Sequence, residues 1–125
     1  MANWIFSQKE QSEYNDIEGV VYEFNSRLPN ARHVSAGDHF VYYRPKKDAT
    51  DGGGYYFGAG QVQIVEIQGP VRRALIKDYR AFLRNVLESS LPECPRSNLQ
   101  NSINRTSRRT LQLIADAGGS KRSLK

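Results

Sequence analysis

Chemically versatile residues are scarce in this 125-residue chain, which has one cysteine, Cys94, and two histidines, His33 and His39. A lone cysteine excludes an internal disulfide framework and fits a reducing compartment. Cys94 lies between Pro92 and Pro95 with no His or Asp close by in sequence to activate it, so it reads as incidental. Three such residues at these separations do not resemble a metal site, and His39, inside a strand-like run, reads as structural. Long hydrophobic runs are also missing. Trp4-Ile5-Phe6 is too short for a targeting core, and nothing approaches a membrane span. These absences predict a cytoplasmic protein without membrane partners. The glycines at 52–54, 58 and 60 match neither a Walker loop nor a dinucleotide fingerprint, because no helical pattern follows them. Glu10, Glu13, Asp16 and Glu18 read as a solvated acidic face rather than an acid–base pair. No catalytic residue, cofactor or metal is predicted.

Positive charge and aromatic surface are what the chain does have. Its formal net charge is +5, which makes an anionic partner plausible. The cations fall into groups: Arg27 and Arg32; Arg44, Lys46 and Lys47; Arg72 and Arg73; Arg105, Arg108 and Arg109. Each group alone is an ordinary solvated edge, whereas several converging would track a phosphate backbone. The most informative stretch is 37–67. Tyr42, Tyr43, Tyr55, Tyr56 and Phe57 flank a Gly-rich break there, beside the second basic group. Flat faces next to cations suit a planar anion such as a nucleotide. A hairpin whose aromatics fill a core is the competing reading.

One domain of α+β class fits the length and patterning. Asn3–Ser7 reads as a buried strand in which Trp4 faces the core, and 20–24 as a brief strand. The segment 8–18 reads as turn or loop, and 25–33 as loop. His39–Arg44 and 55–67 read as strands, the second bent or bulged at Gly58 and Gly60. Residues 71–82 fit strand or helix, with strand favoured, and 83–98 should be mostly irregular around its two prolines. A helix should start near Thr106 or Ser107, either of which can cap it, and end at Gly118 with Leu111, Ile114 and Ala115 on one face. The basic tail 118–125 is expected to be disordered.

Three separated segments, NWIFSQKEQSEY, GDHFVYYRP…YFGAGQVQIVEI and NSINRTSRRTLQLI, occur in the order found in EVE domains of the PUA-like superfamily, which the chain resembles over most of residues 3–117. The segment YEFNSRLPNARHVSAGD is similar to the N-terminal domains joined to HNH endonucleases in modification-dependent restriction systems. The resemblance implies a small PUA-like, EVE-type β-barrel with flanking helices. Such a domain flips a modified base, such as 5-methylcytosine or 5-hydroxymethylcytosine, out of duplex DNA into an aromatic pocket. The HNH motif is absent from this chain, so a non-catalytic reader is implied, with a nuclease fused elsewhere or supplied by a partner protein. RNA with modified bases, as read by the related YTH domains, is the alternative ligand.

By segment matching, the resemblance places base contacts at Ser7, Gln8, Tyr22, Phe24, Asn25, Asn101 and Ser102, with Tyr43 as a further wall. Tyr22 and Phe24 would stack, while Ser7, Asn25 and Ser102 would read polar edges. Arg27, Arg32, Arg44, Lys46 and Lys47 would hold phosphates. A small-nucleotide-processing enzyme, with Asp38 or His39 facing its ligand, and a protein-binding module with an exposed Tyr43–Tyr55 patch remain the other readings.

Overall fold

The computed structural model describes residues 1–8, 16–45, 54–87 and 102–119. Six strands form one mixed sheet: β1 (Asn3–Ser7), β2 (Val21–Asn25), β3 (His39–Arg44), β4 (Tyr55–Gln68), β5 (Val71–Leu87) and β6 (Ile103–Thr106). A 3₁₀ turn, Ala31–His33, follows β2, and one helix, α1 (Arg108–Gly118), closes the described chain. The spatial order is β2-β5-β4-β3-β1-β6. All neighbours are antiparallel except β1 and β3, which run parallel from Asn3 opposite His39 to Ser7 opposite Tyr43.

The β4–β5 hairpin is the backbone of the sheet. Gly69, at φ 63°, supplies the left-handed residue its tight turn with Pro70 needs. Three register shifts interrupt the pairing, after Tyr56, Ala59 and Val62. Each adds local twist, and the sheet curls into a half-barrel. Its remote edges then meet: the Tyr22 hydroxyl, on β2, donates to the carbonyl of Ser7 at 2.7 Å, and Asn30 Nδ2 donates to the carbonyl of Ile103 at 2.9 Å.

Period-two alternation divides the apolar side chains between two faces. Trp4, Phe6, Tyr22, Phe24, Phe40 and Tyr42 fill the concave interior. Ile5, Val41, Tyr43, Tyr56, Phe82 and Val86 form a second cluster on the outer face, where Ile114 covers them. Ser107 caps α1 by accepting from Thr110 N at 3.0 Å, and Leu111 and Ala115 pack beside Ile114, as the sequence pattern predicts. Trp4 is fully buried in the interior cluster.

Two expectations need correction or limits. Residues 83–87, expected to be irregular, continue β5, whose Phe82 and Val86 pack on the outer face. Gly118 is the last helical residue rather than part of the expected tail. The remainder of that tail beyond Gly119, Cys94 with its prolines, and most of the 8–18 turn lie outside the described residues. No helix among the described residues is long and apolar enough to cross a membrane.

Candidate functional site

The chain's polar residues treat the two ends of the half-barrel differently. At one end, called the base here, Asp38 is 3% exposed and accepts three hydrogen bonds. The donors are Ala2 N (3.0 Å), Trp4 Nε1 (2.8 Å) and Ser35 N (2.9 Å). A buried carboxylate is stable only with such donors. This one joins β1, the loop and β3, leaving it no free face for a ligand. Asn25 also serves the fold, its Oδ1 accepting from Arg27 N at 2.8 Å in the turn after β2. Beyond that turn Arg27 and Arg32 line one concavity of about 310 Å³ with Ser26, Leu28, Asn30 and His33. Two of the predicted phosphate contacts are therefore brought together, and no carboxylate shares their concavity.

The other end, called the mouth here, gathers the ends of β1 and β3 with the start of β6. Ser7 N donates to the Ser102 carbonyl at 2.8 Å, and Gln8 N to the Tyr43 carbonyl at 2.9 Å. Ser7, Gln8, Tyr43 and Ser102, predicted from separate segments, thus converge with the Tyr22 hydroxyl. The side chains divide, however: Tyr22 belongs to the interior cluster and Tyr43 to the outer one. Tyr22 stacks on Phe6 at 4.4 Å with rings 6° apart, and Phe24 is 1% exposed beside it. Their ring faces are occupied by the protein. Asn101, Lys46 and Lys47 lie outside the described residues.

An aromatic stack that is partly open rises at the same end. Phe57 is half-buried and lies parallel to Tyr42, with centroids 5.2 Å apart and planes 5° apart. The Arg44 guanidinium sits 5.0 Å over the Phe57 ring, and Tyr55 meets that ring edge-on. Arg44 Nε is buried without a hydrogen-bond partner among the described residues, an unusual state for so polar an atom. Tyr42 continues the stack inward and contacts Tyr22 at 6.3 Å, joining the two sets of mouth residues.

Carboxylates and phenols complete this rim. The Tyr79 hydroxyl donates to Glu18, and Gly19 N donates to the Tyr42 oxygen at 3.1 Å. Burial holds both phenols above their ordinary range. For Tyr79 the bond to Glu18 adds to it, and for Tyr42 the Gly19 N–H pulls the other way. Both therefore act as neutral phenols. Asp16, which accepts from Glu23 N at 2.6 Å, is pushed up to about 6. Burial is the main cause; the Glu23 N–H opposes it and the Glu23 charge adds to it.

Sequence reasoning singled out the Tyr55–Phe57 run beside Arg44 as suited to a planar anion, but the resemblance moved the stacking surface to Tyr22 and Phe24 and left Phe57 out of the predicted site. A second concavity was also missed: a cleft of about 460 Å³ on the outer face between α1 and the sheet, whose lining includes His39, Arg80 and Arg108. No group of three or more His, Cys, Asp or Glu suited to a metal occurs among the described residues. No family model, curated protein or solved structure matches the chain.

Proposed function

We propose that this protein is a non-catalytic nucleic-acid reader of PUA-like, EVE-type architecture that takes a modified base, a modified cytosine in DNA, at the mouth of its half-barrel. The observation that carries the reading is the Arg44–Phe57–Tyr42 stack, with a cation at 5.0 Å, a partly exposed ring and a buried guanidinium nitrogen that lacks a partner among the described residues. Flipping a base out of duplex DNA costs a few kcal/mol, and stacking on an aromatic side chain returns on the order of 1–3 kcal/mol. Tyr55, edge-on to Phe57, offers that surface, and Arg44 adds a donor toward the base edge or its phosphate. Ser7, Gln8 and Ser102 border the same end and supply polar groups for reading substituents. Arg27 and Arg32, in the segment after β2, are the outlying phosphate contacts; electrostatic contacts of this kind give affinity without sequence preference.

The test is a titration of duplexes carrying plain, 5-methylated or 5-hydroxymethylated cytosine, with single-stranded methylated RNA as competitor. Binding one modified duplex about tenfold more tightly than the plain one, a difference of about 1.4 kcal/mol, is the expected result. Equal, steeply salt-dependent binding to all three would reduce the protein to a nonspecific basic domain, and preferential capture of the RNA would move the reading to that polymer.

A further inference from the structure

The outer-face cleft is separate from the mouth and has its own chemistry. We propose that it binds a small phosphate monoester with a planar or apolar body, of nucleoside monophosphate size. Its volume of about 460 Å³ falls within the range of small-molecule sites. Arg80 comes from β5 and Arg108 from the start of α1, so two elements remote in sequence bring cations to one hollow. Among the described residues neither guanidinium has an ion-pair or hydrogen-bond partner. Two unclaimed arginines facing one space are suited to a dianionic phosphate, which accepts forked N–H donors from both.

The rest of the lining selects what the phosphate is attached to. Ala59, Leu111 and Ala115 make an apolar wall. Inorganic phosphate would leave this surface wet; a nucleobase or similar body would cover it. Asp78 adds the specific feature. Its φ of 55° is left-handed, a conformation that costs a non-glycine residue energy, and it lies in the shifted register where bulges re-aim side chains. Strain at a residue lining a cleft points to a functional role. Its carboxylate is the cleft's acceptor for a hydroxyl or amino group on the ligand body. Because the cleft lies on the outer face, it stands independently of the mouth reading.

The experiment is a two-dimensional amide NMR titration of the full chain with AMP, CMP, adenosine and inorganic phosphate. At least one monophosphate should shift the amides of Ala59, Gly60 and Gln61, and adenosine and inorganic phosphate should each bind at least about tenfold more weakly. Arg80→Gln and Arg108→Gln, both at exposed positions, should each weaken that binding about tenfold while keeping a folded spectrum. Arg27→Gln, in the other concavity, should leave it unchanged. Absence of shifts at the cleft with either nucleotide, equal binding of inorganic phosphate, or indifference to both arginine variants would overturn the proposal. So would displacement of the nucleotide by plain duplex DNA, which would assign the cleft to a backbone phosphate.

Discussion

The base and the mouth of the half-barrel are built from the same strands but satisfy their polar groups in opposite ways. At the base Asp38 collects three donors, from Ala2 N, Trp4 Nε1 and Ser35 N. At the mouth a guanidinium nitrogen is buried without a partner among the described residues, and an aromatic ring keeps part of its surface open. A fully bonded end specifies one arrangement of strands; an end with spare donors and open rings can add a ligand. On the proposed function, the division separates stability from recognition.

That division can be broken from the base upward. Asp38→Ala strands Trp4 Nε1 and the amides of Ala2 and Ser35, and should lower unfolding free energy by about 3 kcal/mol. Urea denaturation measures it, and Asp38→Asn should recover part of the loss. A change below about 0.5 kcal/mol would mean that the base is not held by this carboxylate. Tyr22→Phe keeps the stack on Phe6 but removes the bond to Ser7, costing about 1 kcal/mol by the same measurement.

Asp16 gives a pH test. Its folded carboxyl is pushed up to about 6 from an ordinary 3.8, so between those values the folded chain holds more proton than the unfolded one. Its contribution is therefore fully present below about pH 4 and is lost as pH rises through 6. Because the side chain is partly exposed, solvent screening reduces the loss to about 1 kcal/mol or less. Asp16→Asn should flatten this component, seen as the difference between wild-type and variant stability from pH 4 to 7. A difference that does not vary with pH would contradict the assignment. The smallest effect on the fold belongs to the mouth. Arg44→Gln should change stability by less than about 0.5 kcal/mol, yet weaken modified-duplex binding about tenfold. A large loss of stability with unchanged binding would erase the distinction between the ends.

The sequence made most elements legible for physical reasons that the structure displays. Asn3–Ser7 and His39–Arg44 are short apolar runs buried on both faces, and Ser107 marks the helix start with its own hydroxyl. β5 was harder to read. The left-handed Asp78 and the register shift around it change which face the following side chains meet, so Ile76 lies inside while Phe82 and Val86 lie outside. No single alternation survives such a shift, and the last turn of pattern resembles neither strand nor helix. The convergence of Ser7, Gln8, Tyr43 and Ser102 followed from matched segments. That Tyr22 would find Phe6, and Arg44 would find Phe57, depended on the curl of the sheet. The outer cleft depends on residues 39, 80 and 108 meeting across three elements, a juxtaposition no local pattern encodes.

The position of β1 has a consequence for how the chain assembles. It is hydrogen-bonded on both sides, to β3 in parallel and to β6 in antiparallel, although it precedes both in sequence. The β4–β5 hairpin can close from nearby residues, whereas β1 can complete its second ladder only when residues 103–106 have been synthesised. Until then the run from Trp4 to Phe6 has one edge open, at the stage when such edges are most prone to pair with other chains. The earliest of the described strands in sequence is among the last to be locked, and the synthesis of β6 sets the moment at which its second edge is covered.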